Sequence, residues 1–149
     1  AVYNPIFKEL FYAKKGYGSY LNGERIKVSR IRDIKIALLS TGFPYDLAMS
    51  KRNNIDNFLR FIFRAQAIRR DGSAALNLSY VAAGRFDGFW EIKLNPWDVA
   101  AGTLLVQEAG GTVTDFRGNP VDIYKDEIVA SNGLIHKEMI DILNPREGQ

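Results

Sequence analysis

Two carboxylates in the second half of the sequence have the residue type and the position to do chemistry. Glu91 ends a predicted strand, and Asp98 falls in the first turn of the predicted helix that follows. Open α/β sheets bind ligands beyond their strand ends, near helix N-termini, so we expect the two side chains to border one crevice. Each has a plainer explanation: Glu91 as a solvated charge, and Asp98 as part of a capping box with Asn95.

A second group of residues, Arg69–Ala75 (RRDGSAA), joins a predicted strand to the N-terminus of another predicted helix. Gly72 permits a close approach of the backbone, and the amides of Ser73 and Ala74 would point free hydrogens at a ligand. A plain N-cap by Asp71 or Ser73 explains the same residues without any ligand.

The helix that carries Asp98 is the clearest element of the sequence. Asn95 can cap it, Pro96 fits its first position, and Gly110-Gly111 ends it. Small residues at 100–102 would let it lie close to a neighbour. Apolar residues at three- and four-residue steps predict one face that packs on a sheet. That predicted face consists of Trp97, Ala101, Leu104, Leu105 and Glu108.

The remaining pattern alternates short apolar strands with helices from about residue 36 onward, which is typical of a layered α/β fold. Before that, strands that flank the tight-turn signal Asn22-Gly23 predict a β-ribbon. The tail 144–149 is expected to be frayed. The predicted strands are 1–3, 9–13, 36–41, 65–69, 86–91, 111–115 and 128–130, and the other predicted helices are 45–63, 73–83 and 134–143.

Composition excludes several classes of site. The chain has 149 residues, no cysteine and one histidine, so disulfides and thiolate metal sites are excluded. We expect that histidine, His136, to be an ordinary surface or capping residue. The net charge is +3, with no basic stripe and no apolar run long enough to cross a bilayer, so neither nucleic acid nor a membrane is an expected partner. The lack of cysteine favours a reducing cytoplasm.

The motifs resemble those of the inositol monophosphatase family of magnesium-dependent, lithium-sensitive sugar-phosphate phosphatases. The resemblance is carried by Trp-Asp-x-Ala-Ala-Gly at 97–102, Glu-Ala-Gly-Gly at 108–111, Gly-Ser-Ala-Ala at 72–75 and the glycine-rich ribbon at 15–29. It implies that Asp98 is catalytic and ligates a magnesium ion, one of two or more in the intact enzyme. It also implies that Glu91 binds a sugar hydroxyl, and that the Gly72-Ser73-Ala74 backbone lies along the sugar ring. Oxygen ligands suit Mg²⁺, which is a hard cation.

The family's other metal ligands come from an upstream Glu and from an Asp-Pro-Leu-Asp-Gly-Thr motif, and neither occurs in this sequence. The resemblance therefore implies the C-terminal portion of a phosphatase. We expect residues 1–34 to be the β-ribbon remnant of an N-terminal α+β domain and residues 35–149 to be the C-terminal α/β domain of the family's αβαβα fold. The alternative is a non-catalytic module that binds a polyol phosphate or a partner chain.

Substrate and assembly follow as further expectations. The family handles small sugar or cyclitol phosphates. Arg69 and Arg70 border the predicted site and suit a second phosphate, which keeps a dual inositol monophosphatase/fructose-1,6-bisphosphatase open. The family commonly forms a homodimer. Six aromatic residues near the N-terminus predict an exposed apolar patch, and hence aggregation, in the isolated segment. They are Tyr3, Phe7, Phe11, Tyr12, Tyr17 and Tyr20.

Overall fold

The computed structural model describes residues 1–145, which form two sheets and four helices. The ribbon strands are β1 (Val2–Asn4), β2 (Glu9–Lys14), β3 (Gly18–Leu21) and β4 (Glu24–Ile26). The second sheet contains β5 (Leu38–Thr41), β6 (Ala67–Arg69), β7 (Gly88–Ile92), β8 (Thr112–Thr114) and β9 (Glu127–Ser131). The helices are α1 (Ile55–Ile62), α2 (Ala74–Ala82), α3 (Pro96–Glu108) and α4 (His136–Leu143).

The ribbon is an antiparallel meander in the order β1-β2-β3-β4. Asn22 and Gly23 join β3 to β4, both with positive φ, as their tight-turn pattern predicts. The second sheet has the order β6-β5-β7-β9-β8, with β5 parallel to β6 and β7, and β9 antiparallel to β7 and β8.

Helices cover both faces of the five-stranded sheet. One core lies on the α2/α3 face and includes Leu78, Phe89 and Val106, while the other lies on the α1/α4 face and includes Phe61, Trp90 and Met139. The ribbon packs on the far side of α2 and α3. The order of layers is therefore helix, sheet, helix, ribbon, which confirms the predicted layered α/β fold. The division at residues 34 and 35 stays a prediction.

Helix α3 lies close to α2, as its small residues predict. A Cβ at Gly102 would collide with the Leu78 side chain. The predicted sheet-packing face, however, is only partly right: Leu105 is buried in the core, but Trp97 is 78% exposed. The buried stripe runs instead through Val99 and Gly102 to Val106, one step round the helix. Residues on this stripe face α2 and the sheet, which leaves Trp97 at the protein surface.

Two further predictions are corrected. The helix predicted over 45–63 exists only as Ile55–Ile62, because buried Asn54 adopts a left-handed φ of 71° and interrupts it. Of the six aromatic residues predicted to be exposed, Phe11 is fully buried under α2 and α3. Of the predicted frayed tail, residues 146–149 lie outside the described residues. In the part that is described, no helix has both the length and the apolar character to span a membrane.

Candidate active site at the start of helix α3

A cleft of about 690 Å³ opens where the parallel strands β5, β6 and β7 end. The first turns of α2 and α3 form its opposite side, so it has the position in which open α/β sheets bind ligands. It is lined by residues 42–46, Arg70, residues 72–75, residues 91–95, Trp97 and Asp98. All six residues that the sequence singled out for catalysis, metal binding or substrate binding are among them: Arg70, Gly72, Ser73, Ala74, Glu91 and Asp98.

Glu91 lies on β7, at the end that opens into the cleft. Its carboxylate is half-buried and makes no hydrogen bond within residues 1–145. Burial raises the pKa of Glu91 to about 7; repulsion from Asp98 adds to the rise, and attraction to Arg70 opposes it. A carboxyl group with this pKa can exist in either protonation state near neutral pH, so it can accept or donate a hydrogen bond to a ligand.

Asp98 occupies the third position of α3. Its Oδ2 accepts a hydrogen bond of 2.9 Å from the backbone N–H of Asn95, which supports the capping interpretation. Within the described chain, its other oxygen makes no hydrogen bond. Capping and ligand binding are therefore compatible, because each can use a different oxygen of the same carboxylate.

The start of α2 forms the wall of the cleft next to Arg70. Gly72 has a φ of +86°, a conformation that favours glycine. The Ser73 hydroxyl accepts a hydrogen bond of 3.3 Å from the N–H of Leu76, so Ser73 is the N-cap. The first N–H groups of a helix have no partner inside it. The N–H groups of Ala74 and Ala75 are consequently available at the cleft wall.

The two neighbouring arginines take different positions. Arg70 lies over the ring of Phe43, 5.3 Å from its centroid, and lines the cleft. Arg69 instead lies in depressions outside the cleft, so the prediction that both arginines border the site holds only for Arg70. Successive side chains of an extended segment point to opposite sides, which separates the two.

Sequence patterns did not predict the wall of the cleft that residues 42–46 form. Residues 42–46 follow β5, and a Cβ at Gly42 would collide with the Glu91 carboxylate. The Gly42-Phe43-Pro44 turn signal directly after a buried strand could have located this wall. Lys93, which also lines the cleft, carries no sequence signal.

The only histidine lies away from the cleft and is neither the surface residue nor the capping residue that we predicted. His136 is 8% exposed. Its Nε2 lies 2.9 Å from the Thr114 hydroxyl and its Nδ1 lies 2.9 Å from the Ser131 hydroxyl. Burial lowers the pKa of His136. The residue is a hydrogen-bonded core group, because α4 begins against the ends of β8 and β9.

The acidic residues of the cleft can hold only part of a metal site. Residues 1–145 contain no group of three or more His, Asp or Glu side chains that could bind a metal ion. Asp98 fits as a single ligand, since one of its oxygens makes no other bond. A cation held here would therefore need ligands beyond those that the described residues supply.

The layered fold places a carboxylate-bearing cleft at the ends of its parallel strands, beside the N-termini of α2 and α3. The chain belongs to the inositol monophosphatase family, whose family model matches residues 1–146.

Similar proteins carry more than one name. A Nus factor SuhB from Pseudomonas aeruginosa is 45% identical over 97% of this chain and 54% of its own length. A fructose-1,6-bisphosphatase/inositol-1-monophosphatase from Thermotoga maritima is 41% identical over 96% of this chain and 54% of its own length. The structure of an inositol monophosphatase from Anabaena superposes with a TM-score of 0.93 at 43% identity, over 95% of this chain and 56% of that one. The chain thus spans about half the length of these relatives.

Proposed function

We propose that the protein containing this chain is a Mg²⁺-dependent phosphomonoesterase that hydrolyses inositol monophosphate or a related sugar phosphate. The observation that carries the proposal is the meeting of Asp98, Glu91 and the Gly72–Ala74 segment on one cleft. Their spacing matches the family in which the resemblance gives them metal-binding and sugar-binding roles. The relatives from Thermotoga maritima and Anabaena are named for this activity, which supports the same conclusion.

The cleft residues of this chain have distinct parts in the proposed reaction. Asp98 holds one cation with the oxygen that does not cap α3. Glu91 binds a hydroxyl of the sugar or cyclitol ring. The free N–H groups at the start of α2 donate hydrogen bonds to ring oxygens or phosphate oxygens. Mg²⁺ held with the help of Asp98 would supply a means to activate a water and to neutralise charge at the phosphate.

Arg70 extends the proposal to a second anionic group. No carboxylate pairs with its guanidinium within residues 1–145, and the Phe43 ring holds it at the cleft. Guanidinium groups bind phosphate through paired, directional hydrogen bonds. We therefore include sugar bisphosphates among the proposed substrates. A homodimer and a cytoplasmic location remain predictions.

The replacement Asp98→Asn in the full-length protein tests the proposal. We expect kcat to fall at least about a hundredfold, because the neutral amide is a poor cation ligand. The fold should survive, since the amide oxygen can still accept the hydrogen bond from the Asn95 N–H. The measurement is phosphate release from inositol 1-phosphate with Mg²⁺, together with circular dichroism.

Asp33→Asn is the matched control. Asp33 also accepts a hydrogen bond at the start of a helical turn, from the Lys35 N–H at 2.9 Å, but it lies outside the cleft. Its replacement should leave kcat unchanged. Near-normal turnover in Asp98→Asn would contradict the assignment.

A non-catalytic binding module is the second candidate. The observation in its favour is that residues 1–145 supply too few carboxylates for a complete metal site. A relative from Pseudomonas aeruginosa is named as a Nus factor, which is not the name of a phosphatase. If the full-length protein releases no phosphate from any sugar phosphate with Mg²⁺ but still binds the ester, this candidate replaces the first.

A further inference from the structure

The wall of the cleft that faces Glu91 is formed by a segment without regular structure. We define the β5–α1 loop as residues 42–54, which join β5 to α1 and contain no helix or strand. Residues 42–46 of this loop line the cleft, and Tyr45 is fully exposed at its mouth. Loops are held by side-chain contacts rather than by a hydrogen-bonded ladder, so the position of this wall depends on what ties it down.

Asn54 fixes the far end of the loop in the core. This buried residue donates hydrogen bonds to the Thr41 hydroxyl at 3.0 Å and to the Gly42 carbonyl at 2.7 Å. It accepts one from the Trp90 indole N–H at 3.0 Å. These bonds hold the two ends of the loop together but leave its middle to other contacts.

Lys93 holds the middle of the loop on the cleft side. Its ammonium donates to Asp46 Oδ2 at 2.6 Å and to the Ser50 hydroxyl at 2.8 Å. The ion pair is partly shielded, because the Lys93 side chain is only 27% exposed. Lys93 follows Glu91 by two residues, so the same end of β7 supplies the Glu91 carboxylate and the anchor of the wall opposite it.

The backbone of Lys93 is strained, and the contacts of its side chain explain why a lysine occupies this position. Its φ is +59°, in the left-handed region that non-glycine residues rarely occupy. Such a conformation persists only where surrounding contacts impose it, and it concentrates at functional sites. Glycine would fit this backbone without strain but would have no ammonium to reach Asp46 and Ser50.

A second ion pair ties the loop down on its outer side. Arg52 contacts Asp126 at 2.6 Å and Glu127 at 2.9 Å, on the segment that leads into β9. Arg52 does not line the cleft, and half of its side chain is exposed. The loop therefore has one tether at the cleft and one tether away from it.

We propose that Lys93 is a positioning residue that holds the β5–α1 loop against β7 and so fixes the substrate-facing wall opposite Glu91. The effect extends to Arg70, because Phe43 of the same wall packs under its guanidinium and against Phe58. This inference rests on the proposed function only in naming the cleft ligand as a sugar phosphate.

The decisive variants in the full-length protein are Lys93→Gly and Asp46→Asn. Either change should raise KM by up to about fivefold, the factor that corresponds to a partly exposed ion pair. The value of kcat should stay within about twofold, because no group at the reacting phosphate is altered. Lys93→Gly should not lower the melting temperature, because the lost ion pair is offset by the release of backbone strain.

A measurement without substrate separates the tether from the activity. Amide exchange across residues 43–50 should accelerate about tenfold in both variants, while exchange in α2 and α3 stays unchanged. The double variant should be no worse than the single variants, since both remove the same contact. This result can be obtained even if the protein hydrolyses no phosphate ester, so failure of the proposed function and failure of the tether are distinguishable.

Arg52→Met is the matched control. It removes the outer tether, so it should lower the melting temperature slightly and leave KM unchanged. Unchanged exchange and unchanged KM in Lys93→Gly would overturn the proposal. An equal rise of KM in Arg52→Met would also overturn it, because the loop would then respond to any loss of attachment.

Discussion

Two glutamates lie at opposite ends of helix α3, Glu108 in its last turn and Glu91 on β7 near its first turn, and their surroundings differ. At the C-terminal end, Glu108 accepts hydrogen bonds from the N–H groups of Gly16 at 2.8 Å and Gly18 at 2.9 Å. These bonds lower the pKa of Glu108. Near the N-terminal end, Glu91 lines the same cleft as Asp98 and has no hydrogen bond within residues 1–145. Burial, with repulsion from Asp98, raises the pKa of Glu91 to about 7.

The difference separates the structural role of Glu108 from the ligand-binding role that we propose for Glu91. Glu108 attaches the ribbon to α3, and its hydrogen-bonding capacity is used within the chain. Glu91 keeps its capacity unused at a cost in folding free energy, because burying a carboxylate beside another one is unfavourable. Groups left in this state usually serve a ligand. The same contrast appears between Arg70 at the cleft and Arg69 outside it.

Among the tests of this contrast, the largest expected effect comes from Glu91→Gln. We expect kcat/KM to fall about ten- to a hundredfold, because a charged hydrogen bond to the substrate is lost. The free energy of unfolding of the metal-free protein should rise by about 1–3 kcal/mol at pH 8, because the variant no longer buries a charge. The measurements are steady-state kinetics and urea unfolding.

The pH dependence of that gain has a definite sign. Because the folded-state pKa of Glu91 lies above the unfolded value, wild-type stability is lost as pH rises from 4.5 towards 7. The gain from Glu91→Gln should therefore be largest at pH 8 and vanish at low pH. Glu108→Gln is the matched control: it should lower the melting temperature and leave the kinetics unchanged. A loss of stability in both variants would remove the contrast between the two ends of α3.

Arg70→Ala should have a smaller and more selective effect. If Arg70 binds a second phosphate, the ratio of bisphosphate to monophosphate turnover should fall about tenfold, the worth of one charged hydrogen bond. Arg69→Ala should leave the ratio unchanged, because Arg69 lies outside the cleft. The measurement compares phosphate release from fructose 1,6-bisphosphate and inositol 1-phosphate. Equal ratios of bisphosphate to monophosphate turnover in both variants would show that Arg70 does not bind a second phosphate.

Local patterns predicted most of the fold and the two helix-start walls of the cleft. Short runs of capping residues, glycine and proline determine where α2 and α3 begin. The parallel strands that precede the two helices bring both starts to the same edge of the sheet. The layered order also follows from the alternation of strands and helices. Contacts between residues close together in the sequence determine where these elements begin and end.

The β5–α1 loop and His136 could not be predicted, for the opposite reason. The loop is placed by contacts of Asn54 with Trp90 and of Lys93 with Asp46, which join residues 36 and 47 positions apart. A periodic apolar pattern in 45–63 therefore predicted helix where these contacts impose a loop. The burial of His136 depends on hydroxyls of β8 and β9, which no helical pattern reveals.

The smallest expected effect concerns His136, which is buried like Glu91 but has both polar atoms hydrogen-bonded. Burial lowers the pKa of His136 in the folded state, so its contribution to stability is present above about pH 6.5, the unfolded value, and is lost as pH falls below it. This slope is opposite to that of Glu91, and the two overlap between about pH 4.5 and 6.5. They partly cancel in the wild-type protein, so only variants can separate them. Glu91→Gln should reveal a steeper loss of unfolding free energy below pH 6.5, whereas His136→Gln should flatten that loss while lowering stability at pH 8. Urea unfolding of both metal-free variants across this range decides the matter, and parallel profiles would show that neither group titrates as the structure implies.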